Sequence, residues 1–509
     1  MISTQPLLAL PFVKAGNPLQ RWRRLRWLGA LFTALLPTVA SAVVCPFTTY
    51  MPSGKYPVGH DVQWTQAAQP ADRQLVQWWY PAEPLKDSNA ANYVYSDYLR
   101  EALQSHPTPV DELDPEQDAR MGVFIKAKKD RGVHEQRFDH LMAATMLAAR
   151  ESTLIAGDWP VLWLDGDPSF ADQLASHGFI VVSSPPLAGT TPTQEQRVQT
   201  ARTAIEATRT KFKTALLRIG MIGFGERAPL AARLAGLYPQ SAGLALVGNW
   251  SVLDARRARK AGQWLDPAEI FGATLQIVAG AATPAKLERH PLDAPFSVTT
   301  RFHISDIDDV HIEQGLPESC VRDYVDGRAV PSLTLILAQR EIRLRLAEFF
   351  GKLFDLPIEP AALELLPIDE RRRQPLNTAQ AELSARMSPP PNSAKVAALL
   401  ASGGVDALLN AVPKASLAEL PTSWWNNAIA QMYVANAAAE IPQLLSAWQQ
   451  HQPGSAMAAV HIASAASEKG EDARKLWKQT RRLLKSDSKL APAQREELSA
   501  LIDKALKKR

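Results

Sequence analysis

At 509 residues the chain is long enough for two to four domains, and 46% hydrophobic against 21% charged residues excludes a disordered or low-complexity protein. Its net charge of +4 at neutral pH is local. The first 42 residues hold Lys14, Arg21, Arg23, Arg24 and Arg26 and no acid, which leaves residues 43–509 at −1 and predicts no nucleic-acid partner.

The N-terminal text is "RWRRLRW" (Arg21–Trp27), then the apolar run "LGALFTALLPTVA", then Ala40-Ser41-Ala42. A basic stretch, a short apolar stretch and small residues at −3 and −1 predict a signal peptide over 1–42. The apolar run is short for a bilayer span. The expectation is an exported protein, periplasmic or extracellular, with no transmembrane segment after signal removal. Cys45 and Cys320 are the two cysteines and form a candidate disulfide in an oxidising compartment. Sequence does not show whether they come within reach.

Residues 56–82 read as two strands around a polar turn, and 84–150 as mixed and largely helical. From there, short apolar runs alternate with helical text. "WPVLWL" (Trp159–Leu164) is followed by "FADQLASHGF", read as an amphipathic helix closed by Gly178. "IVVSSPP" precedes a helix from Gln194, and "RIGMIGF" (Arg218–Phe224) precedes "RAPLAARLAGLYP". "AGLALVG" and "ATLQIVAG" are further strands, and Ser332–Phe354 is a long closing helix. Continuous apolar strands alternating with helices predict an α/β class: a mostly parallel sheet covered on both faces.

Past Phe354, "DERRRQPLNTAQ" and "SPPPNSA" predict a linker over 357–394. Residues 395–509 carry Ala/Leu-rich helical text without strand signal. Pro453 and Asp487 lie 34 residues apart, as do Asn436 and Gly470, each pair at equivalent turns, which suggests a tetratricopeptide-like helical domain able to take a protein partner. An irregular bundle is the alternative. Residues 469–509 hold thirteen Lys/Arg against six Asp/Glu. A solvated helical face is the plain reading of that stretch, an acidic partner or membrane surface the other.

The stretch "LRIGMIGFGERAPLAARL" (Leu217–Leu234) runs a strand through glycines into a helix, the layout of the nucleophile elbow Gly-x-Ser-x-Gly, with Gly225 in the serine place. "RQLVQWWYPA", "WPVLWL", "LASHGFIVV" and this elbow follow one another as in secreted α/β-hydrolases. Over residues 50–356 the chain resembles the platelet-activating-factor acetylhydrolase-like and dienelactone-hydrolase-like group. That resemblance implies an α/β-hydrolase domain over 43–356 and a serine, histidine and acid acting on an ester. The matching positions depart from the pattern. Gly225 has no nucleophilic atom, Thr283 stands where the acid is expected, and His311, beside Asp308 and Asp309, stands for the base. The oxyanion loop reads Asp165-Gly166-Asp167-Pro168, whose carboxylates would oppose a developing oxyanion. The leading reading is a catalytically silent binding or scaffolding module; the alternative is an active ester hydrolase with a non-standard site at His311. His134 and His140 are spaced wrongly for a helical zinc site, and no cofactor or metal is expected.

Overall fold

The computed structural model describes residues 53–65, 74–84, 92–103, 119–122, 126, 145–149, 152–185, 192–214, 218–238, 241–248, 269–280, 295–305, 307, 323–325, 328–330, 333–358, 378–391, 393–487, 490 and 492–507. The chain divides into a unit at Met1–Val44 and a unit at Cys45–Arg509, and every described element lies in the second.

Strands β1 (Val58–Trp64) and β2 (Leu75–Pro81) form an antiparallel hairpin. β3 (Asn92–Val94) runs into helix α1 (Tyr95–Ala102), and β4 (Thr145–Ala149) follows. Then come β5 (Val161–Asp165), α2 (Pro168–Ser176), β6 (Ile180–Ser183), α3 (Gln194–Phe212), β7 (Ile219–Phe224) and α4 (Ala228–Leu237). β8 (Ser241–Val247), β9 (Ala273–Ala279) and β10 (Thr299–Ile304) continue the sheet, β11 (Asp323–Val325) and β12 (Arg328–Val330) form a small hairpin, and α5 (Leu333–Phe354) crosses back. The large sheet has eleven strands in the order β13-β10-β9-β8-β7-β5-β6-β2-β1-β4-β3, where β13 is Thr378–Leu383.

β6, β5, β7, β8, β9 and β10 are mutually parallel, with Val161 opposite both Ile180 and Ile219. Their apolar text is used on both faces. Leu162, Leu164, Ile222 and Ile277 face one core with α2 and α5, while Val161, Trp163, Met221 and Leu244 face another with α3 and α4. This two-faced burial is why β5, β6, β7 and β8 lack polar alternation, whereas β9 and β10, with Gln276, Arg301 and His303, keep some.

One expectation is corrected. Thr378–Leu383 lies within 357–394, yet it is not linker: it pairs antiparallel with β10, Thr299 opposite Leu383. In 84–150, read as mixed and largely helical, the described strands are β3 and β4, which join the sheet edge beside α1. There β4 and α1 supply partners to α2, whose residues Ser169–Ser176 are all buried, so α2 has no solvent face.

The C-terminal region is helical: α6 (Ser393–Asn410), α7 (Lys414–Leu417), α8 (Thr422–Val434), α9 (Ile441–His451), α10 (Ala456–Glu468), α11 (Arg474–Ser486) and α12 (Pro492–Lys507). α8 and α10 begin 34 residues apart. Asn436 (φ 55°) and Gly470 (φ 76°) close α8 and α10 with the same left-handed turn, which is what makes those positions equivalent.

Candidate functional site at the carboxyl ends of β5 and β7

β5 connects through α2 to β6 on one side, and β6 connects through α3 to β7 on the other. The direction of strand addition therefore reverses at β5. In an open α/β sheet, the crevice beyond the carboxyl ends at such a reversal is where ligands bind. Here it is bounded by Asp165-Gly166-Asp167 from β5 and Phe224-Gly225 from β7, with Asp165 in register with Gly223.

Gly225 follows β7 at φ 48°, a left-handed backbone that glycine adopts without a Cβ penalty. A single 3-10 turn, Gly225–Arg227, leads directly into α4. Strand and helix pack so closely that a Cβ on Gly223 would lie 2.7 Å from Ala231 Cβ. On the β5 side, a Cβ on Gly166 would lie 2.5 Å from the Phe224 ring, which also packs on Phe170. At the start of α4 the Ala228 N–H bonds Gly225 O, and Pro229 has no N–H to offer.

Both acids of the loop after β5 have partners. Asp165 Oδ2 accepts from Arg197 Nη2 at 2.6 Å and Oδ1 from Arg227 Nη1 at 3.1 Å. Asp167 Oδ1 caps α2 by accepting the Ser169 N–H (2.9 Å), and Oδ2 accepts the Tyr95 hydroxyl (2.7 Å). The bare repulsion expected for an oxyanion is thus reduced, while the side chains are fixed in structural work. Trp163, Asp165, Arg197 and Thr200 help enclose a cavity of about 20 Å³ beside this loop, room for one water.

Behind Asp167 lies a buried polar cluster. Arg343 of α5 is fully buried, donates to Ser169 Oγ (2.6 Å) and Gln339 Oε1 (2.7 Å), and stacks on Phe170. Burial lowers its guanidinium to about 9, against the opposing pull of Asp167 and Asp172. Asp172 accepts from the Tyr98 hydroxyl (2.8 Å) and the Leu147 N–H (2.5 Å); burial pushes its carboxyl up to about 6. His60 donates from Nδ1 to Trp78 O (2.9 Å) and its Nε2 meets Glu101 Oε2 at 2.7 Å.

Of the residues selected from sequence, Gly225 is at the crevice. Thr283, His311, Asp308, Asp309, Cys45, Cys320, His134, His140 and the whole of 1–42 lie outside the described residues. β7, β8, β9 and β10 are parallel, so their carboxyl ends lie at the same end of the sheet. Arg197, Arg227, Arg343 and Asp172 were not selected. Arg227, which takes the place of the second elbow glycine, was the one legible departure. Among the described residues, no group of three or more His, Cys, Asp or Glu could hold a metal ion, and no helix is long and apolar enough to cross a membrane. Comparison with protein-family models and with curated proteins finds no match.

Proposed function

We propose that this chain is an exported protein with an α/β-hydrolase-fold domain whose elbow lacks a nucleophile, and that it serves as a binding or scaffolding module. The observation that carries this reading is Gly225: a positive-φ residue between a central parallel strand and its helix, at the strand-order reversal, with no side chain to attack a carbonyl. The strand order β1-β2-β6-β5-β7-β8-β9-β10, with β2 antiparallel, supports the hydrolase assignment. Asp167 is committed to capping α2 and Asp165 to Arg197, so neither carboxylate is free to orient a base. The paired turns at Asn436 and Gly470 support a tetratricopeptide-like array as the partner-binding part. Export rests on the residue pattern of 21–42.

The test is labelling with a fluorophosphonate probe, which needs an activated serine. No covalent adduct on the native protein is expected. An adduct on any serine, abolished by His311→Ala, would replace this reading with an active ester hydrolase.

A further inference from the structure

Helix α11 presents a face that neither the crevice nor the repeat architecture explains. Its six cations, Arg474, Lys475, Lys478, Arg481, Arg482 and Lys485, are all exposed, and it carries no acid. At about 100° per residue they fall within roughly one third of the circumference, over a length of about 20 Å. The opposite side is committed to the core through Trp477, Thr480 and Leu484. Arg481 is paired with Asp503 of α12; among the described residues no ion pair engages the other five. Beside Asp503, Ala500, Lys504 and Lys507 line a shallow groove that extends the basic surface.

We propose that the α11 face is a docking surface for an anionic phospholipid bilayer. The helix cannot insert, because its apolar side is already buried, so attachment is electrostatic and lies along the membrane plane. The face offers a straight row of point charges, without an exposed aromatic anchor. A folded acidic partner needs its carboxylates fixed opposite each cation, whereas laterally mobile phosphates rearrange beneath a plain row of cations. The binding itself does not depend on whether the crevice is silent.

The experiment uses residues 43–509, the chain expected after signal removal, which contains all four hydrophobic cores, so that the basic segment 1–42 does not contribute. Co-sedimentation is measured with phosphatidylcholine vesicles with and without about 30 mol% phosphatidylglycerol, in about 0.05 M and about 0.5 M salt. Binding is expected only with the anionic lipid at low salt. Lys475→Gln/Lys478→Gln/Arg482→Gln/Lys485→Gln should weaken it at least about tenfold with unchanged circular dichroism. The single Lys478→Glu is a second variant, expected to lose at least about threefold. Arg209→Gln/Lys213→Gln/Lys352→Gln/Lys414→Gln, an equal charge change elsewhere, should retain binding. The proposal is overturned by absence of binding, by equal loss in the two quadruple variants, or by tighter binding to duplex DNA than to vesicles at the same salt.

Discussion

Asp172 shows what a buried helix face demands of its neighbours. Its carboxylate has no solvent, and Tyr98 and Leu147 supply the two donors that keep it in the core. Its folded-state value of about 6 lies above the ordinary 3.8, so the folded protein holds that proton more tightly than the unfolded chain does. The stabilisation from this group is therefore full below about pH 4 and is lost as pH rises through about 6. Asp172→Asn can accept from Leu147 and donate to a rotated Tyr98 hydroxyl, removing the titration while keeping the contacts. Urea unfolding from pH 4 to pH 7 should show the native protein losing about 2–3 kcal/mol relative to Asp172→Asn. Parallel pH profiles would refute the assignment. Sequence could not disclose this role, because Tyr98 is 74 residues away and "FADQLASHGF" reads equally well as a helix with a wet face.

At the scale of elements, the text that was legible was the text whose side chains do the packing. β5, β6, β7 and β8 are apolar because both faces of each are buried, and the long α5 is periodic because it lies on that sheet. β13 was not legible. "TAQAEL" alternates exposed and half-buried residues along its length, and it joins the sheet by backbone hydrogen bonds that carry no side-chain signature. The turns of the helical region show the opposite case, since the left-handed residues Asn436 and Gly470 are both favoured types at a helix end. A Cβ on Gly470 meets nothing within 4 Å, so Gly470→Ala isolates the cost of the positive φ. It should lower unfolding free energy by about 1 kcal/mol in chemical denaturation. No change would mean that the turn relaxes out of the left-handed region.

Within the unit 45–509, the sheet and the C-terminal helices do not behave as beads on a string. Phe296, just before β10, is buried in the same cluster as Val396, Leu400, Trp424 and Trp425, and Phe271 packs on its ring. Met387 N–H bonds Pro295 O, and Trp424 Nε1–H bonds Pro391 O, so the segment after β13 is stitched to both parts. Phe296→Ala should cost about 3–5 kcal/mol and separate the helical signal from the sheet's in a urea titration. Helix and sheet transitions that are already separate in the native protein, with a loss below about 1 kcal/mol in the variant, would show that the two parts share no core. The crevice was legible in sequence only as far as Gly225 and the loop after β5, since Arg197 reaches Asp165 from 32 residues away and no spacing rule announces such a pair.

The central claim is that the loss at Gly225 is not the whole loss. A serine there needs a base, an orienting acid and oxyanion donors; on the proposed reading the sequence offers Thr283 where the acid is expected, and the acids of the loop after β5 are already bound. Removing the orienting acid alone costs about 10⁴ in turnover, and one oxyanion donor about 10²–10³ more. The direct measurement is hydrolysis of short-chain nitrophenyl esters by the native protein, Gly225→Ser and His311→Ala. Rates at the buffer level are predicted for all three, with Gly225→Ser also less stable by about 1–2 kcal/mol from its new Cβ at positive φ. Turnover by the native protein that vanishes in His311→Ala would contradict the account outright; turnover restored by Gly225→Ser alone would show that only the nucleophile had gone.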